Sequence, residues 1–369
     1  MKNQMKQLFR LALVGAMLIT SCKKEDLKDQ NQNLINRMKS VTDSIVLNVK
    51  VPGIVALVVD HQKGIDWVYT AGLSDVSENK PMDADYTFRI ASNTKTMTGT
   101  VLLQLVDEGR ISLEDKLAGY FPEFPRADEV SIGMLCNMTS GIVNYTDDER
   151  WGEELDPARV WTPRELVEIG FENPFYFDPG TDWHYSNTNT ILLGMIIERI
   201  TGNSLQHEVE NRIVKPLKLN KTALQTDGND FPGSHARGYV WDEEMNNYFD
   251  VTNEYDASWT WAAGSAFSNP RELQKYVQTL VEGGLLSDNL QHKRLSELHS
   301  LAPGTAYGYN ILKRGTFFGH NGGIPGFTSS MYHSKDKNCT IIIYFNCMGD
   351  LHPDFLFYRF VNILYGTDY

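Results

Sequence analysis

The chain has 369 residues, a formal net charge of −13 and 41% hydrophobic residues. That length allows one large domain or two, and the apolar content is enough for a substantial core. The acidic balance argues against a nucleic-acid partner, whose binding rests on Lys and Arg neutralising phosphates.

The first predicted element is a leader. Lys2, Lys6 and Arg10 precede the apolar run "LALVGAMLI", the pattern of an export signal over residues 1–21. The run is shorter than the roughly 20 apolar residues a membrane span needs, and no later stretch qualifies. The tetrad "ITSC" resembles a bacterial lipobox, which implies that Cys22 becomes a diacylated first residue. The plain alternative is a secretory signal cut near Ser21. The lipobox reading expects a cell-envelope protein held to a bacterial membrane by lipid alone, facing the periplasm or the outside. Residues 22–40 are polar and read as a tether, with 41–369 as the folded part.

Residues 53–75, "GIVALVVDHQKGIDWVYTAGLSD", give two strand-like runs around a polar turn, the signature of a hairpin. After residue 92 the periodicity becomes helical through "TVLLQLVDEG" and ends at Gly109. From about 110 to 205 helices and loops dominate, including "ILLGMIIERITG" closed by Gly202. Strand-like runs return between about 305 and 347, and "DLHPDFLFYRFVNILYG" closes the chain with helical spacing. Strands at both ends and helices between predict an α+β fold. Its antiparallel sheet, flanked by helices, is built from N- and C-terminal parts, with a helical subdomain inserted at about 110–205.

Cys339 and Cys347 lie eight apart on "CTIIIYFNC", an apparent strand of about 26 Å at ~3.3 Å per residue, too long for the two to pair. No structural disulfide is expected. Neither CxxC nor HExxH occurs and the nine histidines are scattered, so the sequence supports no metal site and no cofactor.

In "RIASNTKTMTG", Ser92 stands three residues before Lys95, which places both on one face of a helix. A lysine made neutral by burial can accept a hydroxyl proton, and a serine at a helix start sees the positive end of the dipole. The spacing recurs at Ser21/Lys24, Ser77/Lys80 and Ser334/Lys337, so spacing alone leaves an N-cap serine and a solvated lysine as the plain reading. Context distinguishes this copy. Thr94, Thr96, Thr98, Gly99 and Thr100 are poor helix formers, so tertiary packing must impose a helix there. A lysine at the mouth of a buried helix would cost several kcal/mol without a function or a partner.

Three blocks in order resemble the serine β-lactamase and DD-peptidase superfamily, in its class C and D-alanyl-D-alanine carboxypeptidase branch: "SNTK", "FDPGTDWHYSNTNTILLGMIIERITG" and "GHNGGIPGF". Ser92, Tyr185 and His320 are separated by 93 and 135 residues, and weaker matches at 137–142, 236–242 and 262–277 extend the likeness over roughly 45–347. The resemblance implies a β-lactamase/transpeptidase-like fold with Ser92 as nucleophile, Lys95 as its partner and Tyr185 as second base or acid. It further implies that Asn187 binds the substrate amide, that His320 and Gly322 border the site on an edge strand, and that the N–H groups of Ser92 and Gly323 stabilise the oxyanion. Gly322 and Gly323 would be glycine so that substrate can lie against that edge. Trp259 falls where a relative's aromatic lines the cleft, core packing being the alternative for it and for Trp261. Taken singly, Tyr185 reads as a loop aromatic, Asn187 as a cap and His320 as a histidine satisfied by carbonyls.

His320 replaces the lysine of Lys-Thr-Gly relatives. At an ordinary pKa of about 6.5 it is mostly neutral at pH 7 and holds a carboxylate less well. The sequence therefore points to a serine hydrolase acting through an acyl-enzyme, first a D-alanyl-D-alanine carboxypeptidase on peptidoglycan peptides. The alternatives are a class C-like β-lactamase, a D-amino-acid amidase or peptidase, or an esterase; a non-catalytic lipoprotein that binds cell-wall peptides is the reading from another class. A small peptide, β-lactam or ester is the expected ligand, and a monomer the expected state.

Overall fold

The computed structural model describes residues 28–366, so the leader, Cys22 and the first part of the tether lie outside the described residues. A nine-stranded antiparallel sheet runs in the order Lys80–Pro81, Ile65–Asp75, Gly53–Asp60, Cys339–Phe345, Phe327–Ser334, Phe317–Ile324, Ile311–Arg314, Thr305–Gly308, His299–Ala302. The two ends of the chain meet inside it, with Gly53–Asp60 paired to Cys339–Phe345 from Ile54↔Phe345 to Asp60↔Cys339. The expected hairpin pairs Gly53↔Gly72 through Asp60↔Ile65.

Alternation along these central strands separates two cores, because successive side chains leave on opposite faces. Val55, Leu57, Ile342 and Tyr344 point into one, with the helical part of the chain. Ile54, Ala56, Ile341 and Ile343 point into the other, with Phe357, Phe360 and Val361 of the closing helix Pro353–Tyr365. Both faces are covered, and all eight residues of Gly53–Asp60 are buried.

Two expectations are corrected. The stretch 22–40 is not a tether throughout: from residue 28 it forms a helix over 28–48. Met38, Thr42 and Ile45 are buried, and Leu34, Ile35 and Val41 pack on the second core. Their three- and four-residue spacing makes a narrow apolar stripe that the surrounding Asn, Gln and Lys residues hide in composition. The apparent strand 339–347 is broken at Asn346, whose side-chain amide donates to the Leu73 and Arg237 carbonyls. Cys347–Met348 then leaves to pair with Tyr239–Asp242 in a separate small sheet. Cys136, Cys339 and Cys347 are buried and unpaired with one another.

Between the sheet's two parts lie the helices Ile132–Asn137, Pro163–Glu172 and Asn187–Thr201, then the short turn of helix Trp261–Gly264 and the amphipathic helix Pro270–Glu282. Against them stands the helix Thr94–Asp107, in which every residue from Thr94 to Leu103 is buried. Its threonines stay helical because neighbours satisfy them: Thr98 donates to the Ala262 carbonyl at 2.7 Å, and Thr100 to the carbonyl of Thr96. A Cβ at Gly99 would stand 2.4 Å from that of Asn310. Packing imposes this helix, as its composition requires.

Candidate active site

Ser92 sits in the tight turn Ala91–Asn93 just before the Thr94–Asp107 helix, so it is not that helix's N-cap. Ala91 has φ +48°, the left-handed region that an L-residue other than Gly or Asn seldom enters. Side chains hold the turn: Asn93 Nδ2 donates to the Ile90 carbonyl at 2.9 Å and to Ser329 Oγ at 2.8 Å, and Thr94 Oγ1 donates to the Ala91 carbonyl at 2.7 Å. The turn presents the half-buried Ser92 above the sheet.

Lys95, one helical turn on, is fully buried. Its Nζ donates to Ser92 Oγ at 3.0 Å and to the Ala263 carbonyl at 2.8 Å, and no carboxylate is paired with it among the described residues. Burial therefore drives its pKa well below the usual lysine value. The ammonium position lies 4.9 Å from the centroid of the Tyr185 ring. Burial raises the Tyr185 phenol, and a hydrogen bond with Ser92 offsets part of that rise. Ser92, Lys95 and Tyr185 are thus brought together, as is His320, whose ring lies 6.1 Å from that of Tyr185.

His320 is buried between fixed partners. Its Nδ1 faces the Asn321 carbonyl, which can only accept, so the proton is on Nδ1 and Nε2 accepts from the Tyr307 hydroxyl at 3.2 Å. Burial first, and the Lys95 amine when it is protonated second, push its pKa down to about 3. It is a neutral ring with both nitrogens occupied, a stronger neutrality than an ordinary histidine pKa implies.

The strand Phe317–Ile324 pairs along Phe318–Ile324 with Phe327–Ser334 but meets Ile311–Arg314 only from Phe317 to Gly319. Residues 320–324 therefore form an open edge. At Gly322 the need for glycine comes from the protein itself: a Cβ would lie 2.4 Å from the Ile90 oxygen and 2.9 Å from the Ser92 nitrogen. At Gly323 a Cβ would meet only Thr328 Cγ2 at 3.6 Å.

Two predicted site residues do not line the cleft in front of Ser92. Asn187 gives its N–H to Asn144 Oδ1 at 3.0 Å and its amide to Thr146 Oγ1 at 3.3 Å. Trp259 packs on Trp151, accepts the Tyr145 hydroxyl on its carbonyl, and lines a separate small cavity with Arg89 and Ile324. Sequence reasoning missed Tyr307, whose "TAYGYN" context carries no motif, and gave no role to His352 or Asn321. The C-terminal position of the last helix brings His352 over the site: its Nδ1 accepts the Asp354 N–H at 3.1 Å, so Nε2 carries the proton to the Gly322 carbonyl at 3.2 Å.

The cleft in front of Ser92 and Tyr185 has a volume of about 390 Å³ and is walled mainly by Trp183, Tyr307, Leu301, Leu312 and Met348. No Lys, Arg, Asp or Glu is among its lining residues. The Trp183 indole N–H is buried without an acceptor among the described residues. No group of His, Cys, Asp and Glu suited to a metal ion occurs among the described residues.

A turn-borne serine joined to a carboxylate-free buried lysine and a tyrosine, above an open strand edge, is the apparatus of a serine acyl-transfer hydrolase. The Beta-lactamase family profile matches residues 32–361, and the chain belongs to that family. It shares its fold with a D-stereospecific amidohydrolase from Streptomyces sp., at 30% identity and a TM-score of 0.80, over 90% of this chain and 99% of that one. The D-amino acid amidase from Ochrobactrum anthropi SV3 complexed with D-phenylalanine gives 27% identity and a TM-score of 0.81, with the same coverage. Penicillin-binding protein 4* of Bacillus subtilis (strain 168) is 25% identical over 319 residues, 82% of this chain and 70% of that protein.

Proposed function

We propose that the protein is a serine hydrolase of D-amino-acid amides and short D-peptides whose leaving group is neutral. Neutral Lys95 takes the Ser92 proton, Ser92 Oγ attacks the carbonyl, and the N–H groups of Ser92 and Gly323 hold the oxyanion. Tyr185, kept protonated by burial, hands its proton to the departing amine and is reprotonated through Lys95; water then releases the acyl group. Substrate lies along the open edge 320–324 as an added strand. Cys22 would tether the enzyme to the membrane of the cell envelope.

The observation that carries this reading is the cleft beside Tyr185, whose lining holds no Lys, Arg, Asp or Glu and whose His352 is engaged by the Gly322 carbonyl. A carboxypeptidase expels an amino acid whose carboxylate needs a cation, and desolvating an unpaired carboxylate costs several kcal/mol. His320 is neutral and committed, and the Arg314 guanidinium is spent on Asp354, Tyr332 and Tyr358. The D-alanyl-D-alanine carboxypeptidase reading is therefore placed second, supported by the likeness to a penicillin-binding protein. The names of the two structural neighbours support the amidase reading. Purified protein is assayed on D-phenylalanine amide and on an acylated peptide ending in D-Ala-D-Ala. A kcat/KM at least about tenfold higher for the amide is expected, one factor of ten being about 1.4 kcal/mol of barrier. The reverse order would overturn the assignment.

A further inference from the structure

On the other flank of Ser92, Arg89 lies in the short strand Phe88–Arg89 that leads into the serine turn. It is only 6% exposed. Its guanidinium donates to Gln225 Oε1 at 3.2 Å and to the Asn229 carbonyl at 3.4 Å, both neutral, and lies 4.8 Å from the Phe231 ring. No carboxylate forms an ion pair with it among the described residues. The carboxylate it senses most, Asp256, has its oxygens on the N–H groups of Ser258 and Gly228. Burial pushes Arg89 down to about 10, so it remains a cation at neutral pH. A buried guanidinium with five donors and two long neutral contacts has unused capacity for an anion.

Arg89 is among the residues that line a cavity, with Tyr255, Trp259, Thr260, Gly264 and Ile324. The volume is about 20 Å³, room for about one water, so it admits a carboxylate oxygen at Arg89 and not a whole side chain. Tyr255 and Trp259 are half-buried, so they form its outer side. Gly264 follows Ala263, the acceptor for Lys95, and Ile324 follows Gly323 on the open strand edge. With Tyr185 as the proposed proton donor to the leaving group, the leaving group occupies the cleft that no Lys, Arg, Asp or Glu lines and the acyl part runs towards Ile324.

We infer that Arg89 is the anchor of an acyl-side anion subsite, and that the preferred substrates carry a carboxylate on the side chain of the acyl residue while their leaving group is neutral. Resting on the acyl-transfer reading above, this adds a substrate class to it. Arg89 binds the carboxylate through its free N–H groups, and Trp259 covers the aliphatic stem.

The test compares D-glutamic acid α-amide with D-glutamine α-amide, which differ only in the side-chain carboxylate. The wild-type protein is expected to hydrolyse the first with a kcat/KM at least about tenfold higher, a factor typical of charge-assisted contacts. Arg89→Gln brings the ratio close to one while both amides are still turned over. Arg89→Lys, which keeps the buried charge if the glutamine variant fails to fold, leaves a ratio of about threefold. Equal rates in the wild type would overturn the subsite. If neither amide is hydrolysed, the amidase reading fails, and the subsite is judged by protection of Ser92 against a fluorophosphonate. Protection by the glutamic acid amide at tenfold lower concentration, lost in the Arg89 variants, upholds the subsite; equal or absent protection refutes it.

Discussion

Lys95 and Gly322 carry the local argument. A fully buried lysine whose hydrogen-bond acceptors are one hydroxyl and one carbonyl has its pKa driven well below the usual lysine value by burial, which supports the proposed role as base. Gly322 lets the strand approach the serine turn to within contact of its backbone. Gly322→Ala should drive Ile90 and Ser92 away from the strand and lower kcat/KM by about a hundredfold or more, as displacements near 1 Å do. Gly323→Ala should leave the melting temperature unchanged, because only Thr328 is near. Steady-state kinetics and thermal melts of the two variants check this; equal effects at both positions would contradict it. Ser92, Lys95 and Tyr185 were legible through their motifs and order. Tyr307 and His352 were not, because their approach to the site is made by pairing and helix docking that leave no local pattern.

At the scale of elements, the closing helix Pro353–Tyr365 is tied to three strands by one carboxylate. Asp354 accepts from Arg314 at 2.6 Å, from Asn321 at 2.7 Å and from Ser330 at 2.5 Å. Its side chain is 11% exposed and that of Arg314 is 17% exposed. Asp354→Ala strands a buried guanidinium and frees Asn321 next to His320, so a loss of about 3 kcal/mol or more is expected. Urea unfolding measures it, and a loss below about 1 kcal/mol would contradict the role given to the network. The helices from "TVLLQLVDEG", "ILLGMIIERITG" and the closing segment were read from periodicity. The helix over 28–48 was missed because six apolar residues among polar ones bury a helix only when a sheet face is waiting for them.

In the whole molecule, strands from the two ends of the chain form one sheet, and the serine turn is clamped between that sheet and the helical part. Alternating buried runs such as "GIVALVVD" and "CTIIIYF" announced a central sheet, but not the register that joins Ile54 to Phe345, which depends on contacts about 290 residues apart. The central claim is that this clamp makes Ser92 a nucleophile. Intact-mass spectrometry of residues 23–369 after incubation with a fluorophosphonate, alongside Ser92→Ala, tests it most directly. One phosphonyl adduct on the wild type and none on a Ser92→Ala protein of equal melting temperature is the predicted result; an unmodified wild type that is demonstrably folded, or an adduct that survives in Ser92→Ala, would contradict it.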